Sequence, residues 1–167
     1  IPANTPFLLE GRATDDGDLN LLEYRWDQMD VGCPTNSTSF GTDNGSNPLF
    51  RSYAPRPETW RNFPALGTQK QSRFDKAEVL SCQNRTLDFR LTATDGRSGQ
   101  DFEDVRVSVN ATAGPFEITS VATPIIAGTD FAVDWDVAGT DQAPINCANV
   151  DIDLIDFAPS GGTYSIY

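Results

Sequence analysis

Apolar and polar residues alternate along much of this chain. Leu87, Phe89, Leu91 and Ala93 fall on one face of an extended segment, with Asp88, Arg90, Thr92 and Thr94 on the other. The same period of two recurs in Leu22, Tyr24 and Trp26, in Val105, Val107 and Val109, in Phe131, Val133, Trp135 and Val137, and in Val150, Ile152 and Leu154. Each run predicts a strand with one buried and one wet face. Turn-forming clusters separate the runs: Asp15-Asp16-Gly17-Asp18, Asn44-Gly45 and Asp95-Gly96-Arg97-Ser98-Gly99. Helical periodicity is hard to find. The pattern predicts antiparallel sheets packed face to face.

A boundary is expected near Asn110-Ala111-Thr112-Ala113-Gly114-Pro115, where small residues and Gly-Pro precede a fresh alternating run from Phe116. Residues 1–113 have room for a complete immunoglobulin-like β-sandwich of about 100 residues. Residues 114–167 supply about four strands where such a sandwich uses about seven. The expected fold is therefore all-β: tandem immunoglobulin-like β-sandwich modules, the first (1–113) whole and the second (114–167) partial. Open strands recruit neighbours. The second module is thus expected to continue past Tyr167 or to self-associate or accept a partner strand through its open sheet edge.

Composition narrows the chemistry. The chain contains no histidine, which removes Ser-His-Asp and Cys-His catalysis and His-bound zinc. It carries 24 acidic against 12 basic residues, a formal net charge of -12, and no Lys or Arg beyond residue 106. Such acidity repels phosphate backbones and argues against nucleic acid as a partner. No apolar run approaches the roughly 20 residues of a membrane span, so none is expected. The chain starts Ile-Pro-Ala-Asn-Thr-Pro, without initiator Met or signal peptide, and reads as a processed piece of a longer protein. An extracellular, calcium-bathed binding or spacer module fits this composition better than an enzyme core.

Two loops carry the densest acidity. One contains Asp15, Asp16 and Asp18; the other runs from Asp95 through Asp101 to Asp104. Calcium takes about six to eight oxygens at flexible geometry, and these six residues are the candidate ligands. The competing reading is that Asp and Gly here only make turns.

Several segments resemble a known arrangement. Pro6-Phe7-Leu8-Leu9-Glu10-Gly11, Ala13-Thr14-Asp15-Asp16-Gly17-Asp18 and Leu22-Glu23-Tyr24-Arg25-Trp26 resemble the opening of PKD- and cadherin-like modules. The order of Trp26-Asp27-Gln28-Met29-Asp30, Pro48-Leu49-Phe50-Arg51-Ser52, Arg61-Asn62-Phe63-Pro64, Leu87 to Asp95, Ala113-Gly114-Pro115-Phe116, Trp135 to Thr140 and Asn146 to Ile152 resembles the region downstream of the catalytic domain in secreted bacterial reprolysin-like zinc metallopeptidases. After Leu154 the chain departs from that family's Ser-Thr-Asp-Gly-Gly pattern and reads Ile155-Asp156-Phe157-Ala158-Pro159-Ser160-Gly161-Gly162. The family's zinc motif needs His, so the resemblance places any active site outside this piece. It implies an accessory role beside other domains of the same polypeptide.

Residues 47–66 mix aromatics with arginines between prolines. Tyr53, Arg56, Trp60 and Arg61 form a candidate ligand surface, because exposed rings flanked by guanidinium groups stack on sugars or grip proteins. The alternative is that the Pro-rich connection folds its aromatics back onto the sheet. Cys33 and Cys82 flank strands that a sandwich brings together, and a secreted context would oxidise them to a disulfide. Cys147 is then left over as a small buried hydrophobe. Asn36, Asn44, Asn84 and Asn110 each begin an N-x-Ser/Thr sequon, which in a bacterial protein reads as turn chemistry. Two acid pairs have the raw material of glycoside hydrolysis, Asp27 with Asp30 and Asp134 with Asp136, but the second sits on the wet face of a strand as solvated decoration.

The expected function is a non-catalytic accessory, spacer or substrate-docking region of a secreted protein, a reprolysin-like metallopeptidase being the leading parent. The alternatives are an adhesin or extracellular fibre subunit assembling by strand complementation, and a carbohydrate-binding module using Trp60 and Tyr53. An extracellular protein or a polysaccharide is the expected partner.

Overall fold

The computed structural model describes residues 1–17, 21–32, 36, 39–70, 75–121, 128–150, 155–157 and 164–166. Its long strands fall where the alternation is strongest. The central pair is β4 (Arg85–Thr94) and β5 (Gln100–Val109), antiparallel over ten residues each, with β2 (Glu23–Gln28) on the other side of β4. A second, two-stranded sheet pairs β1 (Phe7–Glu10) with β3 (Trp60–Phe63), Phe7 standing opposite Phe63. The one described helix, α1, is a single short piece, Leu66–Lys70. All these pairings are antiparallel, and the protein is all-β.

The two sheets face each other across aromatic rings. Phe63 stacks on Phe7 at 5.1 Å between centroids and meets Phe89 of β4 at 4.7 Å. Phe50, from the connection, closes on Phe63 edge-on at 5.1 Å. Phe63, Phe89 and Leu87 are fully buried. Removing each from water is worth about 1.5–3 kcal/mol. Leu22, Tyr24 and Trp26 join this core from β2 and its approach, as the alternation predicted.

β5 departs from the expectation of one buried face. Val109 is buried and Val107 packs on the core, but Val105 is exposed. The cross-strand register gives the reason. Val105 stands opposite Phe89, and beyond it the same face carries Glu103 and Asp101. Inward charges of this kind keep an open edge from pairing indiscriminately. On the solvent face, Arg90 grips Asp104 through two bonds at 2.7 and 2.8 Å, and Arg106 grips Asp88 at 2.6 and 3.1 Å. These are directly opposed cross-strand pairs.

The amino-terminal residues fasten the far end of β5. The Asn110 N–H donates to the Ile1 carbonyl at 2.9 Å, and the Ala3 N–H donates to the carbonyls of Asn110 and Ala113. The connection after β5 then passes Gly114, whose φ of +95° suits glycine, and its N–H donates to the Ala138 carbonyl at 2.9 Å.

Beyond it, β6 (Glu117–Val121) pairs antiparallel with β7 (Val133–Asp136). The register slips between Ile118 and Ser120, so Ile118 faces Trp135 and Val121 faces Val133 on one side of the hairpin. The irregularity keeps the apolar residues on a common face, and that face is open: Ile118 is 59% exposed, Phe131 44% and Trp135 41%. Alternation correctly located β7 but not burial: Ile118 lines an open cleft with Pro6, Pro64 and Leu80 and stays exposed. Last come β8 (Ile155–Phe157) and β9 (Tyr164–Ile166), a short antiparallel pair. Of the Val150, Ile152 and Leu154 run, only Val150 is among the described residues, and it lies in no strand.

Candidate functional site

The connection from Arg51 to β3 runs beside the free edge of β2. Arg56 and Tyr24 exchange backbone bonds at 2.7 and 3.0 Å, a single bridge that holds this Pro-rich segment against the sheet. The Trp26 indole N–H donates to the Thr59 carbonyl at 3.1 Å and fixes the approach to β3. Prolines at 55 and 57 prevent further ladder formation, since they have no N–H to give. The segment therefore bows outward and leaves a cavity of about 350 Å³ between itself, β2 and β3.

All four residues of the predicted ligand surface line this cavity: Tyr53, Arg56, Trp60 and Arg61. Their roles differ. Tyr53 is 40% exposed, and one face of its ring lies under Arg61, whose guanidinium carbon is 4.7 Å from the centroid. Burial pushes the Tyr53 phenol up from its ordinary value, and the nearby Glu78 carboxylate adds to this. It therefore remains a hydroxyl donor at neutral pH. Arg56 lies over the Trp60 ring at 5.0 Å and donates to the Trp60 carbonyl, so its guanidinium is held in a fixed plane. Glu58 is 3.8 Å from Arg56, a loose and exposed pair.

Arg61 is a correction to the surface reading, because it is buried. It stands opposite Leu9 and two residues from Phe63, on the core side of β3. It donates to the Trp26 carbonyl at 2.7 Å, the Arg51 carbonyl at 2.7 Å and Glu78 Oε1 at 2.9 Å. Glu78 Oε2 accepts from the Ala65 N–H at 3.0 Å. Burial pushes the Glu78 carboxyl up, while the Ala65 amide and the charges of Arg61 and Arg51 pull it back. A guanidinium does not deprotonate in proteins, so Arg61 remains the cation of the pair. Arg61 is thus the floor of the cavity rather than a free contact. Of the larger aromatics in this segment, Phe50 and Phe63 fold into the core while Tyr53 and Trp60 stay at the cavity.

A second buried charge network escaped the sequence reading. Arg85 donates to Asp43 at 2.7 Å, to the Asn47 carbonyl at 3.0 Å and to Asp30 at 3.3 Å. Burial works against ionised Asp43, but bonds from Ser81, the Gly45 N–H and Arg85 win and hold its carboxyl below the usual range. Asn44 caps the same loop, accepting from the N–H groups of Ser46 and Asn47. Asn44-Gly45 therefore makes the expected turn, with Gly45 at φ +87°. A polar cluster spread over residues 30, 43, 47 and 85 leaves no local signature.

Glu23 stands opposite Thr94, which places the start of β2 beside the Asp95–Gly99 turn. Asp101 and Asp104, expected in that loop, belong to β5 instead, because the ladder with β4 begins at Gln100; Asp18 lies outside the described residues. The Asp95 carboxylate accepts from the N–H groups of Arg97 and Gly99 at 2.6 and 2.8 Å, which lowers its pKa, and Asp104 is held by Arg90. Asp101 accepts from the Phe102 N–H at 2.8 Å. Among the described residues no three acidic, Cys or His side chains gather as a metal site.

Asp27 pairs with Arg25 at 2.6 Å, and Asp30 serves Gln28, Arg85 and the Asp88 N–H. Asp134 accepts from the Ser120 hydroxyl and Asp136 caps the Ala138 N–H, both on the wet face. Cys82 is a free, exposed thiol and Cys33 lies outside the described residues, so the expected bridge is not present here. Cys147, expected as a buried hydrophobe, is also exposed, since its loop follows the open hairpin.

Comparison with protein-family models, with curated proteins and with solved structures finds no match to this chain.

Proposed function

We propose that this chain is a non-catalytic docking and spacing region of a larger extracellular polypeptide, with a reprolysin-like metallopeptidase as the leading parent. The observation that carries the reading is the cavity, which gathers Tyr53, Arg56 and Trp60 over the buried Arg61–Glu78 pair. Rings and guanidinium groups are binding equipment. The acids that would serve hydrolysis are occupied instead by Arg25, Arg85, Ser120 and backbone amides. The facing sheets of residues 1–113 are read as an immunoglobulin-like sandwich, with residues 114–167 as a second, partial module. The metallopeptidase parent rests on the order of motifs from Trp26 to Ile152.

Removing this region from a parent that carries a His-containing zinc motif upstream of Ile1 tests the reading. Hydrolysis of whole proteins should fall while hydrolysis of a short peptide stays unchanged. Equal rates on both substrates with and without the region would defeat it, as would turnover by the isolated 167-residue chain.

The open apolar face of Ile118, Phe131 and Trp135 favours a second reading, assembly by strand complementation. Sedimentation of the chain alone distinguishes the two: concentration-dependent association lost in Ile118→Ser supports assembly, and a monomer at all concentrations opposes it.

A further inference from the structure

We propose, building on the docking reading, that the cavity receives one large apolar side chain from an extended segment of a partner protein, with a carboxylate beside it engaged by Arg56. Three observations converge on this occupant.

The first is size and lining. About 350 Å³ lies at the small end of ligand cavities, which run from roughly 300 to 1,000 Å³. Trp26, Pro55 and Leu66 supply mostly apolar walls. That suits a single anchoring side chain better than a run of hydroxylated rings. One face of Trp60 is already covered by Arg56 and one face of Tyr53 by Arg61, which leaves less flat surface for sugar stacking.

The second is charge. The chain as a whole carries -12, yet Arg25 and Arg56 both line this cavity, Arg25 paired with Asp27 at 2.6 Å and Arg56 only loosely with Glu58 at 3.8 Å. Arg56, exposed and only loosely paired, is therefore the guanidinium at this mouth with room for a further carboxylate. It favours an acidic partner segment. Arg56 is held over Trp60 and bonded to its carbonyl, so part of the ordering cost of gripping a carboxylate is already met.

The third is unspent hydrogen bonding. The Tyr53 hydroxyl and the Asn62 side-chain amide line the cavity and make no side-chain hydrogen bond among the described residues. Both suit the peptide groups and carboxylates of an extended segment. Glu58, loosely paired with Arg56, is the group an incoming carboxylate displaces.

The test is fluorescence anisotropy on the full 167-residue chain with two labelled peptides, carrying Asp-Phe-Glu or Lys-Phe-Lys in an otherwise Gly/Ser sequence. The acidic peptide should bind, and the basic one should bind about tenfold more weakly or worse. Arg56→Ala should weaken the acidic peptide by about tenfold, and Glu58→Gln should tighten it. Because the two variants move affinity in opposite directions, a folding defect cannot produce the pattern. Absence of saturable binding by either peptide, equal affinity for both, or indifference to Arg56→Ala overturns the proposal. So does displacement of the peptide by a gluco-oligosaccharide. Binding of whole proteins that survives Arg56→Ala would remove this cavity and leave the docking function standing elsewhere on the chain.

Discussion

Arg61 and Glu78 form an ion pair at 2.9 Å on the core side of the smaller sheet, with the Glu78 side chain fully buried. Two backbone carbonyls and one amide add to their bonding, while the buried Arg61 Nε has no hydrogen-bond partner. The pair ties together β2 at Trp26, the connection at Arg51 and the start of α1 through Ala65. It is therefore the scaffold on which the cavity stands.

Arg61→Ala should destabilise the chain by about 3–5 kcal/mol, because it leaves Glu78 buried without its cation. The double variant Arg61→Met with Glu78→Leu should recover much of that loss in urea unfolding. A double variant as unstable as Arg61→Ala would show that the pair does more than neutralise a buried charge.

Asp43 predicts an acid dependence. Its folded pKa lies below its ordinary value, so its contribution is fully present above the unfolded pKa and is lost as pH falls through the folded value. Stability measured from about pH 5 downward should fall less steeply in Asp43→Asn than in the parent chain. Parallel curves would remove Asp43 from the acid response.

Asp95 acts as a turn cap through backbone N–H groups. An amide oxygen can accept the same bonds, so Asp95→Asn should keep most of the stability that Asp95→Ala loses. A higher thermal midpoint in millimolar calcium than in EDTA, lost in Asp95→Asn, would support calcium at these loops, and equal midpoints would leave the turn reading.

Trp135 lies on the open face of the β6–β7 hairpin, whereas Trp26 is buried. Acrylamide should quench emission that the Trp135→Ser variant lacks, while the Trp26 contribution stays protected. The substitution should change stability by no more than about 0.5 kcal/mol, as for other exposed positions. A larger loss would mean that this face is covered in solution.

Period-two alternation by itself determined that the chain is all-β, located β2, β4, β5 and β7, and identified the apolar faces of β2 and β4. It did so because a strand must send every second side chain to the same side. It also singled out Tyr53, Arg56, Trp60 and Arg61 by composition. Tertiary structure decided how far each face is covered. Val105 and Trp135 follow the same alternation as Phe89, yet are exposed, because a strand's period does not record whether another layer packs on its face. It also decided that Arg61 is internal. Its spacing from Phe63 put it on the core face, but only Glu78, seventeen residues away, makes a buried guanidinium tolerable there. Burial and pairing depend on partners distant in sequence, and no local period records them.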